Sequence, residues 1–146
     1  MVNLKVVLYL LLIFLRQNSA TNANVERVEV TGSENKYRFA VTISSPDRDC
    51  SQYANWWEVI SPEGELLYRR ILAHSHVKEQ PFTRSGGIIE LKPDQSLIIR
   101  AHMNNTGYGG QVLKGSINKG FQPHTFDEPF AEDLSTSDPQ PEGCAF

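Results

Sequence analysis

Residues 36–44 fix the class of fold. Tyr37, Phe39, Val41 and Ile43 alternate with Lys36, Arg38, Ala40, Thr42 and Ser44. A period of two puts the large apolar side chains on one face and the polar ones on the other, as in a strand with one buried and one wet face. The turn cluster Thr31-Gly32-Ser33-Glu34-Asn35 precedes this run, and Ser45-Pro46-Asp47-Arg48-Asp49 ends it. Further strands are expected over 25–30, 54–60, 65–73, 88–91, 96–103 and 111–118. Ser61-Pro62-Glu63-Gly64 and Lys92-Pro93-Asp94-Gln95 supply turns between them. No segment carries a helical period, and there are no internal repeats. The chain therefore reads as all-β: an antiparallel, seven-stranded β-sandwich over residues 21–120.

The two ends differ from this body. Lys5 followed by the apolar run 6–15, then Asn18-Ser19-Ala20 or Thr21-Asn22-Ala23, is the pattern of a secretory signal peptide over residues 1–20. Ten apolar residues fall short of the roughly 20 that span a bilayer, so cleavage, a secreted or periplasmic location and no membrane span are expected. No Cys adjoins either cleavage site, so lipid attachment is not expected. Removing the segment takes Lys5 and Arg16 but no acid, and shifts the formal net charge from −3 to −5. Residues 121–146 hold Asp127, Glu128, Glu132, Asp133, Asp138 and Glu142, four of the eight prolines, and no Lys or Arg. This acidic, Pro-rich tail reads as irregular or disordered, with Phe121, Phe126 and Phe130 available to dock on the sandwich. A nucleic-acid partner would need a clustered basic face, and none is present. The even cysteine count suggests a Cys50–Cys144 disulfide in an oxidising compartment; a free thiol or an intermolecular bridge are the alternatives.

The passage Leu91-Lys92-Pro93, Arg100-Ala101-His102-Met103-Asn104 and Gly107-Tyr108-Gly109 resembles the fifth-to-seventh strand region of fibronectin type III domains, though it lacks the sixth-strand Tyr. The resemblance implies a fibronectin type III/immunoglobulin-like sandwich. In that order the fourth and sixth strands flank the third, so His74, His76 and His102 would gather at one end of a sheet. Those imidazoles, with Glu79 and with His124 as an additional ligand, form a candidate transition-metal site, zinc or copper being the expected ion. His74, His76 and Glu79 followed by Gly86 also resemble the first cupin motif, with the His-to-Glu gap one residue short; that resemblance implies a metal held in a jelly roll. The string His74-Ser75-His76-Val77-Lys78-Glu79-Gln80-Pro81-Phe82-Thr83-Arg84-Ser85, with Arg100-Ala101-His102 and Gly107-Tyr108-Gly109-Gly110, further resembles small exported bacterial proteins to which no activity is attached.

The alternative to a metal site is a protein- or glycan-interaction module in which the histidines are structural. Trp56, Arg84, Arg100, Asn104 and Tyr108 are the candidate binding residues. Of Trp56 and Trp57 one faces the core and one faces out. Arg69, Arg70 and Arg100 are expected on a solvated outer face paired with Glu58. Catalysis is not expected: Ser75 points away from both neighbouring histidines, and neither paired carboxylates nor a Gly-rich phosphate loop is present. The partner is then a metal, a small ligand or a protein.

Overall fold

The alternating residues 36–44 become the second strand of an antiparallel sheet, and their four apolar side chains are all buried. The computed structural model describes residues 21–145; the signal peptide expected over 1–20 lies outside the described residues. Numbered in chain order, the strands are β1 (Asn24–Ser33), β2 (Lys36–Ser44), β3 (Ala54–Ile60), β4 (Leu66–Ile71), β5 (Phe82–Ile89), β6 (Leu97–Met103), β7 (Val112–Ser116) and β8 (Gly120–His124). One sheet has the order β1-β2-β5 and the other β4-β3-β6-β7-β8, every pairing antiparallel. The two face each other as a β-sandwich. Tyr37, Phe39, Val41 and Ile43 meet Trp57, Val59, Leu97, Ile99, Ala101 and Met103 between the sheets.

Eight strands are therefore present among the described residues where seven were expected. The added one, β8, contains Pro123, which in the sequence argues against a strand. Pro lacks an N–H but is tolerated at a sheet edge, and β8 is the edge beyond β7. Gly120, at φ +83°, takes the left-handed conformation that closes the β7–β8 hairpin.

Strand β5 starts at Phe82, six residues before the run expected at 88–91. Gly86 and Gly87 sit inside it. Gly86 is there for close packing. A Cβ at Gly86 would lie 2.6 Å from the Tyr68 ring and 2.9 Å from the Trp57 ring. Strand β4, conversely, stops at Ile71, so His74 and His76 fall on the connection to β5 and not on a strand.

The tail is mostly irregular and its phenylalanines dock on the sandwich, as expected, but it is packed in place and not disordered. A 3-10 helix, Glu132–Thr136, buries Leu134 against Ile60, Ile98 and Val112, with Phe126 and Phe130 packed beside them. The outer face of the five-stranded sheet thus carries a second apolar cluster beneath the tail. Cys50 and Cys144 form a disulfide across 94 residues, and the Ala145 N–H donates to Ala73 O at 2.8 Å. No helix among the described residues is long and apolar enough to cross a membrane.

Closing so long a loop restricts the unfolded chain and is worth about 4–5 kcal/mol in the chain-entropy account. The double variant Cys50→Ser/Cys144→Ser should lose stability on that order in urea denaturation. A loss below about 1 kcal/mol would show that the bridge adds little beyond the contacts around it.

Candidate functional site

The pairing register lines up three charges. Glu58 on β3 faces Arg69 on β4 and Arg100 on β6. Directly opposed residues on neighbouring strands stand about 4.5–5.5 Å apart at Cβ, so the three side chains form one row across the sheet. Arg69 Nε donates to Glu58 Oε2 at 2.8 Å, and Arg100 Nε donates to Oε1 at 2.8 Å. All three side chains are buried. The expectation of a solvated arginine face is therefore corrected: the face is covered, and Arg70 turns elsewhere, its Nε donating to Ser85 O.

The cover is the tail, and the arginines hold it. Arg69 donates to the carbonyls of Leu134 (2.6 Å), Ser137 (2.6 Å) and Pro139 (2.9 Å). Arg100 donates to those of Phe130 (2.6 Å) and Ala131 (2.8 Å). A buried charge is tolerable only when paired and fully hydrogen-bonded. The rigid fork of a guanidinium allows this, because its donors can serve a carboxylate and several carbonyls together.

A stack of rings lies next to this row. Trp56 is the outward-facing tryptophan, yet it is buried. Its ring stacks on His102 at 3.8 Å and 4°, and the Arg69 guanidinium lies 4.1 Å from its centroid. Tyr108 meets His102 edge-on at 4.7 Å, and the Arg100 guanidinium lies 3.5 Å over the Tyr108 ring. His102 Nδ1 is 2.7 Å from Asn55 Oδ1. A carbonyl oxygen only accepts, so Nδ1 carries the proton. Burial, helped by Arg69 and Arg100, pulls His102 down to about 4. Burial pushes the Tyr108 hydroxyl up to about 12.

His74 and His76 go elsewhere. They sit on the crossover from one sheet to the other. Asp47, in the turn after β2, organises that crossover: its carboxylate accepts the N–H groups of His76 and Ala54, each at 2.8 Å, and the Ser45 hydroxyl at 2.7 Å. The His76 ring stacks on Phe82 at 3.9 Å and 7°, and the His74 ring lies 4.3 Å from it. Burial, then Arg84 and His74, hold His76 below its usual range. Glu79 is engaged by Arg84 in two hydrogen bonds, 2.9 and 3.1 Å. His124 lies on β8 against Phe126. Asn104 braces the β2–β3 loop, accepting the Tyr53 N–H and donating to Cys50 O.

The proposed ligands thus divide. His74 and His76 meet, while His102 is locked into the outer-face stack. Among the described residues no group of three or more His, Cys, Asp or Glu stands ready to hold a metal ion. Sequence reasoning missed Asp47, since nothing in a Ser-Pro-Asp turn signals a contact 29 residues on. It also underrated Glu58, for which a signal existed: a single charge inside the otherwise uncharged run 54–60.

Two cavities border these groups. One, of about 250 Å³, lies between the loop at Tyr108, Gly109 and Gly110 and the tail at Phe126, Asp127, Glu128, Phe130 and Glu132, with Arg100 in its wall. The other, of about 420 Å³ and more open, is lined by Arg48, Asp49, His74, His76, Lys78 and Glu79.

No family model matches the chain, and no solved structure matches it. It is similar to a protein of Halomicrobium mukohataei named "Putative lipoprotein", 34% identical over 98 residues. The match covers 62% of this chain and 48% of that protein, so the chain spans about half the relative's length.

The depressed His102 makes stability pH-dependent. The folded state binds that proton only near pH 4, the unfolded state near 6.5. Stability is thus complete above 6.5 and falls as the pH drops toward 4, by about 3 kcal/mol for this group. His76 adds in the same direction. Urea midpoints measured from about pH 7 to about pH 4.5 should fall steeply for the unsubstituted chain and less for His102→Gln. Equal slopes would remove His102 from the account.

Proposed function

We propose that the chain is an exported or cell-envelope binding module, a fibronectin type III-like sandwich that holds a small organic cation between the Tyr108 loop and the tail. The observation that carries the reading is the cavity there. Tyr108, Phe126 and Phe130 supply rings, and Asp127, Glu128 and Glu132 supply carboxylates. An ammonium or guanidinium over an aromatic face gains roughly 0.5–2 kcal/mol, and the neighbouring carboxylates add Coulomb attraction. Arg100, the base in the wall, has its N–H groups committed to Glu58 and to the tail carbonyls. Its own guanidinium, 3.5 Å over Tyr108, is an internal precedent for a cation on this ring.

At about 250 Å³ the space is below the roughly 300–1,000 Å³ of drug-sized sites. It suits a single amine or guanidinium head, free or on a partner's basic side chain. Placement of β4 and β6 on either side of β3 supports the fibronectin type III comparison. The disulfide and the Halomicrobium relative's name support export. His102, fixed by Trp56 and Asn55, acts as a structural histidine in this reading.

Titration of the full chain with tetramethylammonium, methylguanidinium and an acetyl-lysine amide should shift the amide NMR signals of residues 107–110 and 125–130. The double variant Asp127→Asn/Glu128→Gln should weaken binding about tenfold, equivalent to about 1.4 kcal/mol. Absence of shifts in these segments, or unchanged affinity in the variant, would remove the cavity as a cation site.

A further inference from the structure

We propose that the His74–His76 connection binds a divalent transition-metal ion of the zinc, copper or nickel class between its two imidazoles, with solvent completing the coordination shell. The site shares no residue with the Tyr108 cavity and stands independently of it.

His76 is 4% exposed, and neither of its ring nitrogens has a hydrogen-bond partner. Buried polar atoms in native proteins are nearly always satisfied, so a doubly unsatisfied imidazole points to an absent bonding partner. The ring is held firmly all the same. It stacks on Phe82, and its backbone N–H is fixed by Asp47 Oδ2 at 2.8 Å. Such a ring is pre-organised to bind.

The second imidazole is already beside it. The His74 and His76 centroids are 4.3 Å apart, with the rings tilted by 36°. Metal–nitrogen bonds of about 2.0–2.1 Å place two nitrogens on one ion roughly 3 Å apart. Adjacent rings reach that spacing by small side-chain rotations. Both histidines line the open cavity on this side, so an ion has a route in.

Asp47 supplies the outer support. Its carboxylate is fully buried, and Oδ2 lies 3.9 Å from His76 Nδ1. Ligating histidines commonly turn their other ring N–H toward a carboxylate, which fixes the tautomer and makes the bound nitrogen more basic. Asp47 is the carboxylate nearest Nδ1 and would take that role once the ring turns toward it, which leaves Nε2 of His76 for the ion. Imidazole donors select zinc, copper and nickel and disfavour magnesium and calcium, which take oxygen ligands.

This ligand set differs from the one the sequence suggested. Glu79 is occupied by Arg84, and His102 belongs to the Trp56 stack. Two protein ligands leave several positions to solvent, so the bound ion is exchangeable and a chelator removes it.

Electron paramagnetic resonance of the full, disulfide-intact chain titrated with Cu²⁺ tests this directly. The expected spectrum carries hyperfine coupling from two imidazole nitrogens. His74→Ala and His76→Ala should each weaken Cu²⁺ binding at least about tenfold, within the range that loss of a supporting contact already reaches. His124→Ala should bind as the unsubstituted chain does, and Ca²⁺ should not compete. A spectrum without two coupled nitrogens, or His74→Ala binding Cu²⁺ undiminished, overturns the proposal. The spectrum of the unsubstituted protein decides the question even if His76→Ala fails to fold.

Discussion

The architecture depends on one buried carboxylate. Glu58 lies in the middle of β3, an inner strand of the larger sheet, with an arginine opposite on each side. Two guanidinium groups against one carboxylate leave an excess positive charge and several N–H donors inside the protein. Those donors must be satisfied, and five carbonyls of the tail do so. The C-terminal segment is thereby part of the fold. The same row guards the register: a slip of one residue in β3 would turn Glu58 into the inter-sheet core and Trp57 away from it. Breaking such a row by removing one partner typically costs about 3–5 kcal/mol, whereas replacing all three by apolar groups need not. Its contribution is thus better described as specificity of tail placement than as net stability.

The row also explains why the histidines separate. Once Trp56 lies beside Glu58 on the outer face, its cross-strand neighbour His102 stacks on it beneath the tail and Tyr108. The connection after Ile71 leaves this sheet altogether. It crosses toward β5, where Phe82 and the Asp47 carboxylate receive His76. Histidines that converge in a strand-by-strand sketch therefore end on different surfaces, one serving packing and two bordering a cavity.

The parts of this legible in sequence were those governed by local period. Tyr37 to Ile43 declares a buried face by alternation and appears as read; the strand expected over 96–103 forms as β6, with both of its faces buried. The Cys50–Cys144 pairing was suggested by compartment and count, and the structure contains it. What stayed hidden were features created by tertiary contact. Nothing in the sequence shows that Gly86 lies under the Tyr68 and Trp57 rings. Pro123 argues against a strand until β8 is known to be an edge. The tail has the composition of a disordered segment, and the arginine donors beneath it tie five of its carbonyls to the sheet. Asp47 and His76 meet because two loops from different sheets converge, a relation that no spacing encodes.

Glu58 and its arginines hold the tail, and the disulfide only tethers its end. Native-state hydrogen exchange at the Leu134 and Ser137 amides, which close the 3-10 helix, tests it most directly. Glu58→Gln, with the disulfide intact, should strip protection from these amides. Cys144→Ser alone should leave them largely protected. Retained protection in Glu58→Gln, with loss in Cys144→Ser, would contradict it.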